Sequence, residues 1–169
     1  MNLKDNMNTS ADNSLLLGGG KGRGLSAVLF PGSFDPFTKG HADIVRRALL
    51  MFDEVVIGVG YNGNKAGAAS PEERVEKIGK LYADNPRVRV ESYSGLTADF
   101  AKANGVVAIV RGVRSFADYE YEMQMADVNR QLFGIETIIL PATPELAALS
   151  SSVVRELSHF GHDVSDLLP

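Results

Sequence analysis

The 169 residues are 44% hydrophobic and 22% charged, a globular composition with length for one domain and one substantial core. A formal net charge of −4 argues against a general nucleic-acid binder, and the lack of cysteine excludes disulfides, thiolate metal sites and thiol nucleophiles. With three histidines, no apolar run near the ~20 residues that span a bilayer and no signal-peptide pattern, the expectation is a cytoplasmic enzyme with no protein-built metal centre and no membrane contact.

Residues 1–24 are rich in Asn, Ser, Asp and Gly, show no amphipathic period and end in Gly18-Gly19-Gly20-Lys21-Gly22-Arg23-Gly24. A Walker A loop needs Ser or Thr after Gly-Lys, whereas Gly22 follows Lys21, so this stretch reads as a dispensable flexible tail. The folded domain is expected over 25–169. Ala27-Val28-Leu29-Phe30, ended by Pro31-Gly32, suits a buried parallel strand. From His41 on, Ile44, Val45, Ala48, Leu49 and Phe52 recur at helical spacing, and Val55 to Val59 is a second strand. Ser70-Pro71-Glu72-Glu73 opens a helix with a capping box and a first-turn proline, and Val75, Ile78 and Tyr82 form its inner face.

Val88 to Val90 is a weaker third strand, and a short helix over Thr97 to Asn104 closes at Gly105. The pattern continues with a strand over 106–110, a long helix over 117–133, a strand over 137–140 and a last helix over 151–160. Five strands alternating with helices predict a single doubly wound, Rossmann-like α/β domain with a five-stranded parallel sheet. Such sheets bind ligands beyond the carboxyl ends of their strands, where the strand order reverses.

Chemistry-bearing residues fall at those places. Thr38-x-Gly40-His41 sets an imidazole at a helix start, where free N–H groups favour an anion. Arg111-Gly112-Val113-Arg114 follows the fourth strand, and two guanidinium groups there can clamp phosphates. Ser150-Ser151-Ser152 offers hydroxyls and free amides at another helix start. Read bare, Gly40 and His41 could simply turn and cap the chain, Thr97 could be an N-cap, and Lys65 could be a surface lysine. The run Asp118-Tyr119-Glu120-Tyr121-Glu122 could be a solvated helix face or an oligomer contact.

The Thr-x-Gly-His loop resembles the T/H-x-G-H signature of the nucleotidyltransferase superfamily. Pro31-Gly32-Ser33-Phe34-Asp35-Pro36, the Arg111 to Glu122 segment, Asn129-Arg130 and Ser150-Ser151-Ser152-x-x-Arg155 are similar to the phosphopantetheine adenylyltransferase family from Ala27 to the end. One departure is Leu146-Ala147-Ala148, plainer than the aromatic and serine that many members carry.

The resemblance implies transfer of the adenylyl group of ATP to 4′-phosphopantetheine, giving dephospho-coenzyme A and pyrophosphate in coenzyme A synthesis. It implies His41 as the catalytic residue and Ser33, Lys65, Thr97 and Arg111 as acceptor contacts, with Leu96 beside Thr97. ATP would be met by Ser33, Phe34, His41, Gly112, Val113, Arg114, Glu122 and the run Leu146, Ala147, Ala148, Leu149, Ser150, Ser151 and Ser152. It also implies Mg²⁺ carried on ATP and a homohexamer. The rival readings are another adenylyl- or cytidylyltransferase of the superfamily and a non-catalytic nucleotide-binding module.

Overall fold

The structure, a computed structural model, describes residues 26–61 and 69–169. The expected tail over 1–24 and Lys65 lie outside the described residues. Five strands, β1 (Ala27–Gly32), β2 (Glu54–Tyr61), β3 (Val88–Ser94), β4 (Ala108–Val113) and β5 (Glu136–Pro141), pair in parallel in the order β3-β2-β1-β4-β5. The order reverses between β1 and β4, so the doubly wound expectation holds and the crevice lies beyond Gly32 and Val113.

Helices α1 (Lys39–Ala48), α2 (Pro71–Leu81), α3 (Thr97–Ala103), α4 (Phe116–Val128) and α5 (Ser151–His159) connect and follow the strands. Both sheet faces are covered, which explains the unbroken apolar runs of the central strands. Val28, Phe30, Val55, Ile57, Val59 and Val110 pack with Ile44, Val45 and Ile78 on one face. Leu29, Val56 and Ile109 pack with Ala98, Ala101 and Ile135 on the other.

The α2 capping box is present: Glu73 N–H donates to Ser70 Oγ at 3.2 Å, and Ser70 N–H to a Glu73 carboxylate oxygen at 2.9 Å. Gly105, at φ 62°, follows α3 as expected. Several boundaries differ from the sequence reading; β3, expected over 88–90, runs on to Ser94, and three further differences bear on the site. β4 starts at Ala108 and runs on to Val113, so Arg111 stands inside the strand, in register with Ile139 of β5. Burial lapses at Arg111 and Gly112, which line the crevice, and returns at Val113, so the cation stands where the strand is open. The long helix ends at Val128 and widens into a π-helical turn over Asn129–Phe133, closed by Gly134 at φ 67°. The cap position of α3 is Leu96, and Thr97 is its first helical residue.

Candidate active site

The β1–α1 loop, the end of β4, the start of α4 and the approach to α5 enclose a pocket of about 570 Å³. Ser33, Phe34, Gly40, His41, Arg111, Gly112, Arg114, Glu122, Leu146, Leu149, Ser150, Ser151 and Ser152 all line it. The structure thus gathers most of the site residues expected from sequence into one place. Ala147, Ala148 and Val113 adjoin lining residues without lining the pocket themselves. Val113 is buried at the end of β4, where its carbonyl accepts from Ala142 N–H at 2.7 Å. Thr97 lies across the sheet at the end of β3, its hydroxyl 2.8 Å from Tyr93 Oη, and Leu96 beside it is exposed.

His41 is the best-defined group. Thr38 N–H donates to its Nδ1 at 2.9 Å, and the Thr38 hydroxyl lies 3.1 Å from the same nitrogen. A neutral imidazole that accepts at Nδ1 carries its proton on Nε2, so the tautomer is set by the backbone. The ring is packed edge-on to Phe34, with centroids 5.1 Å apart, and 5.4 Å from Phe37. Burial first, then the charges of Arg114 and Arg111, lower its pKa to about 4. His41 is therefore a neutral N–H donor at physiological pH, flanked by two cations. Thr38 opens the Thr38-x-Gly40-His41 motif, but the sequence reading gives it no role of its own; here it holds the His41 ring as the N-cap partner of a capping box.

A Cβ on Gly40 would come no closer than 3.5 Å to the Thr38 hydroxyl, an ordinary contact. Packing inside the protein does not demand glycine there, so any demand comes from what approaches from the pocket. Gly32 differs: a Cβ would sit 2.8 Å from the Phe34 ring. Phe34 has a left-handed backbone, φ 50°, and its side chain is buried against Phe30, Phe37 and His41. Its buried ring leaves the backbone as the part of Phe34 that can meet a ligand.

Arg111 donates from Nε to Glu122 Oε2 at 2.9 Å, from Nη2 to Glu122 Oε1 at 2.7 Å, and from Nη1 to the Pro31 carbonyl at 2.7 Å. Three of its five N–H groups are used, leaving one on each terminal nitrogen. Arg114 Nε donates to Asp118 Oδ2 at 3.2 Å, and its terminal nitrogens have no partner among the described residues. Both arginines thus keep N–H groups for an anion while a carboxylate holds the stem.

At α5 the three serines have separate duties. Ser150 Oγ caps the helix by accepting from Val153 N–H at 3.1 Å, and Ser151 Oγ donates to the Pro36 carbonyl at 2.8 Å. Ser152 Oγ accepts from Arg155 Nη2 at 3.1 Å, and Arg155 Nη1 donates to the Asp35 carbonyl. The amides of Ser151 and Ser152 belong to the unpaired first turn and suit an anion. Asp118 and Glu122, the carboxylates lining the pocket, both face arginines, and among the described residues no cluster of His, Asp and Glu forms a metal cage.

A neutral imidazole donor, two arginines with spare N–H groups and a helix start surround one crevice, a set of donors suited to an anion. The cytidylyltransferase-like family profile matches residues 29–157. The chain is 56% identical over 145 residues to a phosphopantetheine adenylyltransferase of Phocaeicola vulgatus, an alignment covering 86% of this chain and 96% of that protein. It is 53% identical to one of Porphyromonas gingivalis, over 84% of this chain and 93% of that one. It is 49% identical to one of Kocuria rhizophila, over 86% and 94%. Among solved structures, a bifunctional NMN adenylyltransferase/ADP ribose pyrophosphatase of Francisella tularensis, complexed with AMP and a manganese ion, superposes with a TM-score of 0.65 at 18% identity. That match covers 85% of this chain and 44% of the other, a likeness of fold. The chain belongs to the cytidylyltransferase-like nucleotidyltransferases and, within them, to the phosphopantetheine adenylyltransferases.

Proposed function

We propose that the chain transfers the adenylyl group of ATP to the phosphate of 4′-phosphopantetheine through His41, a step in coenzyme A synthesis. An oxygen of the acceptor phosphate attacks the α-phosphorus of ATP in line. The bond from that phosphorus to the oxygen bridging to the β-phosphate breaks, and pyrophosphate leaves. A phosphate monoester has a second pKa of about 6, so it is a dianionic nucleophile at neutral pH and needs no general base. The site then has to position the reactants and stabilise charge.

The observation that carries this reading is His41, which lines the pocket and whose Nδ1 accepts from Thr38 N–H, so that Nε2 carries the proton left to donate. A pKa near 4 keeps it neutral, able to donate a hydrogen bond to the α-phosphoryl oxygen without giving up its proton. The two spare N–H groups of Arg111, with Lys65, hold the acceptor phosphate, and Leu96 and Thr97 border the pantetheine arm. Ser33 orients the attacking phosphate. Backbone at Phe34, Gly112 and Val113, the Arg114 side chain and the segment from Leu146 to Ser152 meet ATP, and Glu122 serves through Arg111. ATP enters as its Mg²⁺ complex, the ion belonging to the substrate.

The exposed apolar side chains of α4 are the contact of a homohexamer. Among the described residues no helix is long and apolar enough to cross a membrane; the cytoplasmic place of work is proposed from the role in coenzyme A synthesis. The test is pyrophosphate release from ATP with 4′-phosphopantetheine, pantetheine or nicotinamide mononucleotide as acceptor, compared as kcat/KM. Phosphopantetheine should be turned over and pantetheine should not, since it lacks the nucleophile. Faster turnover of the pyridine mononucleotide would overturn the assignment.

A further inference from the structure

Arg74 belongs to no motif and does not line the phosphate pocket; it lines the cavity on the opposite side of the β1–α1 loop, among Phe34, Asp35 and Pro36. It follows the capping box of α2, within about one turn of that helix's positive end, where the macrodipole favours Glu72 and Glu73 and disfavours a cation. What holds it there is a set of carbonyls. Its side chain turns back along the helix, as helical side chains do. Nε donates to the Ala69 carbonyl at 3.1 Å and, more weakly, to that of Ser70 at 3.3 Å, while Nη1 donates to the carbonyl of Ser33.

That last bond fixes a peptide plane. Asp35–Pro36 is the cis bond among the described residues, so the Ser33–Phe34 peptide is trans. In a trans peptide the C=O and the following N–H point in opposite directions. With the Ser33 carbonyl drawn towards Arg74, the Phe34 N–H is turned the other way, towards the pocket that Ser33 and Phe34 line. Phe34 itself sits in the left-handed region, which a phenylalanine adopts only when its surroundings insist. Its ring is pinned by Phe30, Phe37 and His41, and the peptide before it by Arg74.

We propose that Arg74 is a positioning residue for nucleotidyl transfer: by holding the Ser33 carbonyl from behind, it aims the Phe34 N–H at the phosphates. Arg155 and Ser151 tie down the next carbonyls, at Asp35 and Pro36, and so hold the loop beyond Phe34; Pro36 has no N–H, so the amide that Arg74 turns is that of Phe34.

Arg87 is the natural control. It also ties down three backbone carbonyls, those of Leu49, Phe52 and Asp53, at 2.7, 2.7 and 2.8 Å, but at the amino end of the sheet. Arg74→Met should lower kcat with phosphopantetheine about tenfold to a hundredfold, the scale for misplacing one donor, with KM for both substrates within about threefold. Arg87→Met should keep kcat per folded molecule. Arg74→Lys, which keeps the charge on a single donor nitrogen and loses the guanidinium fork, should fall between native and Arg74→Met, and it carries the test should the methionine variant not fold.

Because the kinetic arm rests on the activity proposed above, a second readout is independent of the acceptor. In ¹⁵N-labelled native protein the Phe34 amide should shift on titration with pyrophosphate, and in the Arg74 variants that shift should be lost. Native-like kcat together with a retained Phe34 shift in the Arg74 variants would overturn the proposal, as would a loss of activity that merely follows the folded fraction. An inactive native enzyme whose Phe34 shift depends on Arg74 would instead overturn the assigned reaction alone.

Discussion

Both carboxylate oxygens of Glu122 are taken by Arg111, in a side-on bidentate pair at 2.9 and 2.7 Å. Glu122 is buried, with 9% of its side chain exposed, whereas Arg111 keeps 31% exposed and faces the pocket. A bare carboxylate would repel a triphosphate; paired in this way it orients a cation that attracts one. Glu122→Gln should therefore weaken acceptor handling, read as kcat/KM, by about 1–3 kcal/mol, the scale for a charged hydrogen bond. In an Arg111→Ala background the same change should have little further effect. Additive losses, or a rise confined to the KM for ATP, would show that Glu122 meets the nucleotide directly.

His41→Ala removes the Nε2–H donor and should lower kcat by about 10²–10³, the usual cost of one transition-state donor. ATP affinity should change far less, because Arg114 and the start of α5 remain. Near-native turnover in the alanine variant would remove His41 from the mechanism. His41→Asn, which retains a side-chain N–H, should recover part of the rate.

The pKa of His41 also makes a stability prediction. The unfolded chain takes up this proton near pH 6.5 and the folded protein near 4, because burial and then Arg114 and Arg111 oppose the charge. The contribution is fully present above pH 6.5 and is lost as pH falls from 6.5 to about 4, by up to about 3 kcal/mol. Unfolding by denaturant at a series of pH values should show this slope, and His41→Asn should flatten it. An NMR titration of the His41 ring with a midpoint near 6.5 would contradict both this and the neutral-donor role.

The sheet was legible because its central strands are buried on both faces and their apolar runs stop where the loops begin. The site was legible where backbone rules pick residue types: helix starts that favour anions and cations at a strand end. The end of β4 was not, since an arginine inside a strand breaks the apolar pattern; its pairing with Glu122, eleven residues on, supplies the missing compensation. The cap of α3 was misplaced by one residue because Thr97 is a good capping type, yet its hydroxyl is engaged by Tyr93. Arg74 left no signal, because its partners are backbone carbonyls, and carbonyls are the same whatever the sequence.

The surface of α4 leads to the last prediction. The helix has no apolar face set against a polar one; Glu122 is its buried residue, while Phe116, Tyr119, Tyr121, Met123, Met125 and Val128 are exposed. Leu132, in the turn that follows, is 71% exposed. A helix this apolar around its circumference is found covered in stable proteins, and a closed symmetric assembly of identical chains is the economical way to cover it. Native protein should therefore run as a homo-oligomer, a hexamer in the reading proposed above, by light scattering coupled to size exclusion. Leu132→Glu lies outside the pocket lining and places a charge where a neighbour would pack. It should shift the mass to smaller species at micromolar concentration and lower the thermal midpoint, since assembly stabilises by mass action. An unchanged mass in both Leu132→Glu and Phe116→Glu would move the contact away from α4, and a monomeric native protein would remove it altogether.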